Sequence, residues 1–247
     1  MKIIYLLVVA LILLAGCSPK VQVITLRGSN VKPTTEGLVL DNDTLTLQYS
    51  FASERGQMKV SITNKLNQPL YIDWKRSSLI FGQEKVDYWS DVANVQLSSY
   101  GGYRSRYSIT TSGTIAKEDQ VSFIPPRTRL YKQQFVVVPR GALALSGTPD
   151  IMPEKSLWRP EQKKPVMVDI FSYSAEKSPL TFRNYLTLST DKDFKNEFYI
   201  DTQFWASNVQ VMPLYQLTGP VRQYDGSYSS LLPFKQPDGF YVPVPAQ

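Results

Sequence analysis

Strict alternation of apolar and polar side chains, repeated between turn signals, is the feature that most limits how this chain can fold. Successive side chains of a strand point to opposite faces, so an apolar set at period two specifies a sheet with one face buried. Between Thr44 and Phe51 that set is Leu45, Leu47, Tyr49 and Phe51, with Asp41-Asn42-Asp43 before it and Glu54-Arg55-Gly56 after it. Both flanking triplets favour turns. Met58, Val60 and Ile62 continue the pattern as far as the turn-rich stretch 64–69. Further short strands are predicted at 70–74, 79–81, 121–124, 130–138, 166–173, 182–188, 198–204 and 209–217. Pro125-Pro126 stops the strand at 121–124, because proline cannot donate to a ladder. No window carries an apolar stripe at helical spacing through three turns. The pattern predicts an all-β fold, a single β-sandwich of immunoglobulin-like architecture.

The sandwich is expected over residues 37–218, with two long insertions. The first, 82–120, is expected to contain a hairpin; the second, 139–165, is rich in Pro, Gly and charge. Intervals this long in a compact domain tend to carry function. Residues 219–247 are Pro-, Ser- and Tyr-rich without a period and read as an irregular tail, either flexible or a strap lying across the sandwich. Residues 18–36 are polar and Thr/Lys-rich, broken by the short alternation Val21-Val23, and read as a tether, able to donate an edge strand, that lifts the domain off a surface.

The surface is a membrane. Met1-Lys2 opens the chain, an apolar run follows from Ile3 to Leu14, and Ala15-Gly16-Cys17 comes next. A basic start, about a dozen apolar residues and small residues before a cut form an export signal, too short to span a bilayer. Leu14-Ala15-Gly16-Cys17 resembles the bacterial lipobox. The resemblance implies that residues 1–16 are removed and that Cys17 carries a diacylglycerol, usually with a third acyl chain on its amine. Two or three long chains anchor stably where one does not. Ser18 in place of an Asp implies sorting to the outer membrane by the same resemblance. No acidic run of the kind linked with surface display follows, which favours the periplasmic face. Leader removal takes Lys2 with it, leaving 26 of the 27 basic residues against 21 acidic, a modest excess that suits anionic lipid heads.

The residue inventory excludes whole classes of chemistry. The chain has no histidine and one cysteine, so no Ser-His-Asp or Cys-His machinery, His-ligated metal, thiolate cluster or internal disulfide can form. No cofactor or metal is expected. At 43% hydrophobic and 19% charged, the chain has ample material for one core. Basic residues are scattered, in blocks no longer than Lys75-Arg76 or Lys163-Lys164, so no nucleic-acid partner is expected.

Three stretches go together: Pro69-Leu-Tyr-Ile-Asp-Trp74 with Ser77-Ser78-Leu79-Ile80; Ser122-Phe-Ile-Pro-Pro126; and Ser178-Pro-Leu-Thr-Phe-Arg-Asn-Tyr-Leu186 with Ser189-Thr190-Asp191. Over residues 55–205 they resemble uncharacterised β-rich outer-membrane lipoproteins of Gram-negative anaerobes. The resemblance implies a β-rich lipoprotein domain and no particular chemistry.

Local motifs read as turns before they read as sites. Ser174-Ala-Glu-Lys177 and Ser189-Thr-Asp-Lys192 match Ser-x-x-Lys, but they fall at strand ends without the partner motifs of that chemistry. Asp41-Asn42-Asp43 and Asp191-Lys192-Asp193 do not continue into a calcium loop. Asp43-Thr44-Leu45 resembles an O-glycosylation acceptor of such anaerobes, which makes Thr44 a place to look. Asp73, Asp169, Glu197 and Asp201 are the strand-borne acids from which a carboxylate-dependent glycoside hydrolase would draw its pair.

The richest recognition chemistry is Tyr100, Tyr103, Arg104, Arg106 and Tyr107 around Gly101-Gly102, with Trp89 before them and Trp158-Arg159 in the second insertion. Tyr and Arg on adaptable loops supply flat stacking faces and forked donors. The expectation is a non-catalytic, lipid-anchored binding or assembly module at the outer membrane, with an envelope protein or glycan as partner. A glycoside hydrolase or glycan-binding surface lipoprotein is the alternative. Replacing Cys17 by Ala is expected to move the chain out of the detergent phase in a Triton partition, whereas the parent stays in it. Mass analysis of the parent's N-terminal peptide should show the acyl chains.

Overall fold

The computed structural model describes residues 19–90, 94–101, 109–116, 119–155, 159, 162, 164–222, 228–231 and 234–244. The early strands are β1 (Lys20–Gly28), β2 (Lys32–Thr34), β3 (Gly37–Asp41), β4 (Leu45–Ser50), β5 (Gln57–Asn64), β6 (Leu70–Phe81) and β7 (Glu84–Asp87). Next come β8 (Asn94–Gly101), β9 (Ile109–Ala116), β10 (Val121–Ile124), β11 (Arg129–Val136) and β12 (Asp150–Glu154). The last are β13 (Val166–Ser172), β14 (Thr181–Ser189), β15 (Glu197–Pro213), β16 (Thr218–Arg222), β17 (Tyr228–Leu231) and β18 (Gly239–Val244). A single 3-10 turn, Leu214–Leu217, interrupts them.

The fold is an all-β sandwich of two antiparallel sheets, as the alternation predicts. One sheet has nine strands along the path β10-β6-β14-β15-β1-β18, with β7 beside β6 and β12-β13 beside the far half of β15. The other runs β11-β5-β4-β3-β2. In β4 the buried positions are Leu45, Leu47 and Tyr49, and in β5 Met58, Val60 and Ile62. They pack against Ile72, Leu79, Phe182, Leu186 and Phe204 of the nine-stranded sheet. Aromatic rings knit the centre: Tyr49 meets Phe204 edge-on at 4.9 Å, and Phe182 stacks on Phe204 at 5.0 Å. Such contacts add to what area burial alone provides.

One polar group crosses this core. Asn184 of β14, wholly buried, donates Nδ2 to the Tyr49 hydroxyl (2.9 Å) and accepts from the Tyr88 hydroxyl at Oδ1 (2.6 Å). The chain links both sheets and the segment after β7, and buried polar groups in such networks help specify one arrangement. Burial pushes the Tyr49 phenol up to about 12 and raises Tyr88 well above the ordinary tyrosine value.

Three expectations need correction. The first is the tether. Residues 20–28 form β1, an interior strand paired with β15 on one side and β18 on the other. Val21 and Val23 are buried on one face, Ile24 and Leu26 on the other. A strand covered on both faces loses the simple alternation, which is why the polar surroundings of this stretch read as a linker. The second is the tail: Gly239–Val244 forms β18, with Phe240 and Val242 in the main core. Gly239 is required there, because a Cβ would sit 2.5 Å from the carbonyl oxygen of Ile24.

The third is strand count. The predicted pair 70–74 and 79–81 is one strand, β6, carried through an irregularity where Ser77 Oγ donates to the Asp73 carbonyl and accepts from the Thr187 amide. The pair 198–204 and 209–217 likewise merges into one strand, β15, opposite a bulge at Thr25/Leu26, with 214–217 forming the 3-10 turn instead. Polar residues at a bulge break the period without ending the strand. The first insertion does contain a hairpin, β8–β9, and the second contributes β12.

Two outcomes follow from these contacts. A chain lacking residues 18–28 opens facing edges of β15 and β18, and should show no cooperative melt by circular dichroism while the parent unfolds in one step. Alkaline titration tests the buried phenols. Tyr49 has a folded value near 12 against an ordinary 10.0, so its contribution is complete below pH ~10 and is lost as pH climbs toward 12. Ionisation read at 295 nm should therefore include a late class of tyrosines that titrates together with unfolding.

Candidate functional site

The inward set of the five-stranded sheet leaves the alternate residues facing outward. These are Gln48 and Ser50 on β4, Lys59 and Ser61 on β5, and Arg129 and Tyr131 on β11. Register aligns them in rows: Gln48 opposite Ser61, Ser61 opposite Tyr131, and Ser50 opposite Lys59. Glu36 closes one side from the β2–β3 turn. Gly37 makes that turn at φ +132, where an added Cβ would fall 2.0 Å from the Tyr49 carbonyl oxygen. The turn is pinned by Thr34 Oγ1, which donates to the Gly37 carbonyl (3.0 Å) and accepts from the Glu36 amide (3.2 Å). Together these residues line a groove of about 350 Å³.

Its polar groups are partly preset. Gln48 Nε2 donates to the Glu36 carbonyl at 2.8 Å. Arg129 donates from Nε to Thr63 Oγ1 and from Nη1 to the Tyr131 hydroxyl, each at 3.0 Å. The hydrogen bond to Tyr131 is the main reason its guanidinium is held above the ordinary arginine value, with the charge of Glu36 a smaller cause. Tyr131 is 71% exposed, with the Arg129 guanidinium over its ring at 5.8 Å from the ring centre.

Ser61 is the anomaly. It faces outward yet is only 8% exposed, and its Oγ has no hydrogen-bond partner. A buried hydroxyl without a partner costs free energy that a bound group can recover. The groove thus presents an orphan hydroxyl in its floor, an aromatic face at its rim, two cations and one carboxylate. That set suits a ligand rich in hydroxyls or carrying negative charge.

The residues singled out from the sequence fare differently. Cys17, Tyr103, Arg104, Arg106, Tyr107 and Trp158 lie outside the described residues. Tyr100 is in β8 opposite Thr110. Trp89 is corrected: it is 9% exposed, packs in the main core and has Lys75 Nζ 5.8 Å from its ring centre. It is a core residue rather than an open stacking face. Arg159 is half-buried and donates to the Tyr215 carbonyl at 3.3 Å.

Three of the four strand-borne acids are tied up in ion pairs. Arg76 bridges Asp73 (2.7 Å) and Glu197 (2.5 Å), and Arg183 pairs with Asp201. Asp169 is half-buried opposite Val211. The remaining motifs are turns. Asn42 Oδ1 accepts from the amides of Thr44 and Leu45, and Asp191 Oδ2 accepts from the Lys195 amide. Ser189 Oγ accepts from the Asp191 amide, and the Lys177 amide donates to the Ser174 carbonyl. Thr44 is half-exposed in the β3–β4 turn.

The groove residues carried no motif. Their outward phase was readable from the alternation, but the β11–β5 pairing and the glycine turn that bring Arg129, Tyr131 and Glu36 together are tertiary facts. Comparison with protein-family models, curated proteins and solved structures gives no significant match to this chain.

Proposed function

We propose that this chain is a non-catalytic binding module held at the bacterial outer membrane by a lipid on Cys17, and that the groove on the five-stranded sheet takes a glycan of the envelope. The observation that carries this reading is the unpartnered Ser61 hydroxyl on the strand position opposite the exposed Tyr131. A sugar presents hydroxyls to the first and a C–H face to the second. Lys59, Arg129 and Gln48 supply donors around it, and Glu36 an acceptor. A hydrolase would need two carboxylates about 5 to 9.5 Å apart flanking the scissile bond. The groove lining holds one, Glu36, and Asp73 and Glu197 are joined by a guanidinium instead of facing a cleft. These features favour binding over turnover.

Calorimetry of the chain from Ser18 onward against peptidoglycan fragments and lipopolysaccharide oligosaccharides tests the reading. Tyr131→Ala is expected to weaken binding roughly fivefold, about 1 kcal/mol, through loss of the stacking face. Ser61→Ala separates recognition from folding. It should cost ~1 kcal/mol of affinity while leaving the melting temperature unchanged or higher, since the hydroxyl lacks a partner in the free protein. Unchanged affinity in both variants would remove the groove as the binding surface.

A further inference from the structure

The distance between the anchor and the first strand is the starting point. Two residues, Ser18 and Pro19, separate Cys17 from Lys20, three steps of chain that reach at most ~11 Å even fully extended. The Pro19 carbonyl already accepts a hydrogen bond from the Leu214 amide at 2.7 Å. A lipid on Cys17 therefore leaves no tether, and the end of the nine-stranded sheet where β1 begins must lie at the bilayer surface.

That end carries a distinctive set of side chains. Lys20 pairs with Pro213 and Val244. On the other edge of β15, Val211 pairs with Asp169, and β12 continues the row with Ile151 opposite Asp169, Met152 opposite Val168 and Pro153 opposite Met167. Ile151, Met152 and Met167 thus fall within two residue steps of the level of Lys20, about 7 Å along the strands. Tyr215 follows in the 3-10 turn, whose backbone is bonded to Pro19 through Leu214. These four side chains are 47–61% exposed.

Neighbouring strand positions alternate faces, so Met152 and Met167 project from opposite sides of the β12–β13 pair. A protein partner lying on one face would cover only half of them, whereas a bilayer surface meeting the end of the sheet takes both. Lys20, Lys155 and Lys164 are exposed beside them, placed to meet lipid phosphates. Glu154 and Asp169 share the region, so apolar insertion rather than net charge is the main contact. Arg159 and Gln162 hold the β12–β13 connection against the 3-10 turn, Arg159 through the Tyr215 carbonyl and Gln162 through Gln216 Nε2 at 2.9 Å.

We infer that the end of the nine-stranded sheet formed by Ile151, Met152, Met167 and Tyr215 is a membrane-docking face that dips into the lipid headgroup region beside the anchor. The face sets the orientation of the whole sandwich. Tyr199 lies 14 residues before Pro213 along β15, up to about 45 Å away at strand rise. It therefore stands clear of the membrane despite being 58% exposed.

This inference rests on the proposed lipidation of Cys17, and one experiment scores the two separately. A diazirine-bearing amino acid replaces Ile151, Met167, Tyr215 or, as the distal control, Tyr199 in the full chain, which is photolysed in native membranes. Mass spectrometry then reads lipid adducts at the probe and acyl chains on the Cys17 peptide. Lipid adducts about tenfold more abundant at 151, 167 and 215 than at 199 are expected, as burial in the headgroup region requires. An acylated Cys17 with protein adducts, or with no lipid adducts above position 199, overturns the docking face and leaves the anchor standing. A bare Cys17 with lipid adducts at 151, 167 and 215 removes the anchor and supports the face as a membrane contact in its own right. A bare Cys17 with no adducts removes both.

Discussion

The seating of β1 between β15 and β18 is the constraint on which the rest of the structure depends. It joins the two ends of the described chain within one sheet and pairs along the full length of β1 with β15. It also divides apolar residues between two cores. Ile24 and Leu26 enter the main one, while Val21 and Val23 join Val168, Met212, Leu217 and Tyr241 in a smaller cluster on the opposite face. Gln22 shows how closely this strand is fitted. Only 5% exposed, it exchanges two hydrogen bonds with the backbone of Leu143, donating to its carbonyl at 2.9 Å and accepting from its amide at 2.8 Å. The strand nearest the proposed lipidation site is therefore among the most deeply held parts of the fold, so a pull on a lipid at Cys17 would act directly on the sheet.

The two sheets divide the labour. The nine-stranded sheet carries the first and last described strands, β1 and β18, the long strands β6 and β15 and the end proposed to meet the membrane. Its mid-face is covered by ion pairs and aromatic rings, with Arg76 between Asp73 and Glu197 and Tyr185 stacked on Tyr199 at 5.7 Å. The five-stranded sheet carries the groove. Coupling between them runs through Asn184, whose amide reaches the hydroxyls of Tyr49 and Tyr88. Removing that amide would leave two phenols unpaired in an apolar setting, a larger loss than the bonds themselves. The groove floor is one residue from this network, since Tyr49 lies between Gln48 and Ser50 with its side chain on the opposite face of β4.

Strands with one wet face were legible because burial imposes period two. Leu45 to Tyr49 and Met58 to Ile62 were placed within a residue or two of their ends, and Val121–Ile124 was placed to the residue because Pro125 stops it. Stretches covered on both faces or crossing a bulge were not. In β1 the apolar residues Val21, Val23, Ile24 and Leu26 divide between two faces and keep no single period of two, and β18 is punctuated by Pro243 in a Pro-rich region. Trp89 read as a recognition aromatic because its type is common in binding surfaces, yet its neighbours bury it. Candidate residues chosen by type alone share this weakness, since stacking needs an open face and only packing decides which rings keep one.

The sequence by itself determined the fold class and a residue inventory with no histidine and one cysteine, and it is the source of the lipidation proposed at Cys17, because each depends on residue identity and local order alone. The tertiary structure alone decided which strands are neighbours. That choice placed β11 beside β5, raised Glu36 on a glycine turn and left Ser61 without a partner opposite Tyr131. It also set Ile151 and Met167 level with Lys20. Strand pairing joins residues more than a hundred positions apart, and no local pattern encodes that, because the free energy that selects it comes from burying whole faces together.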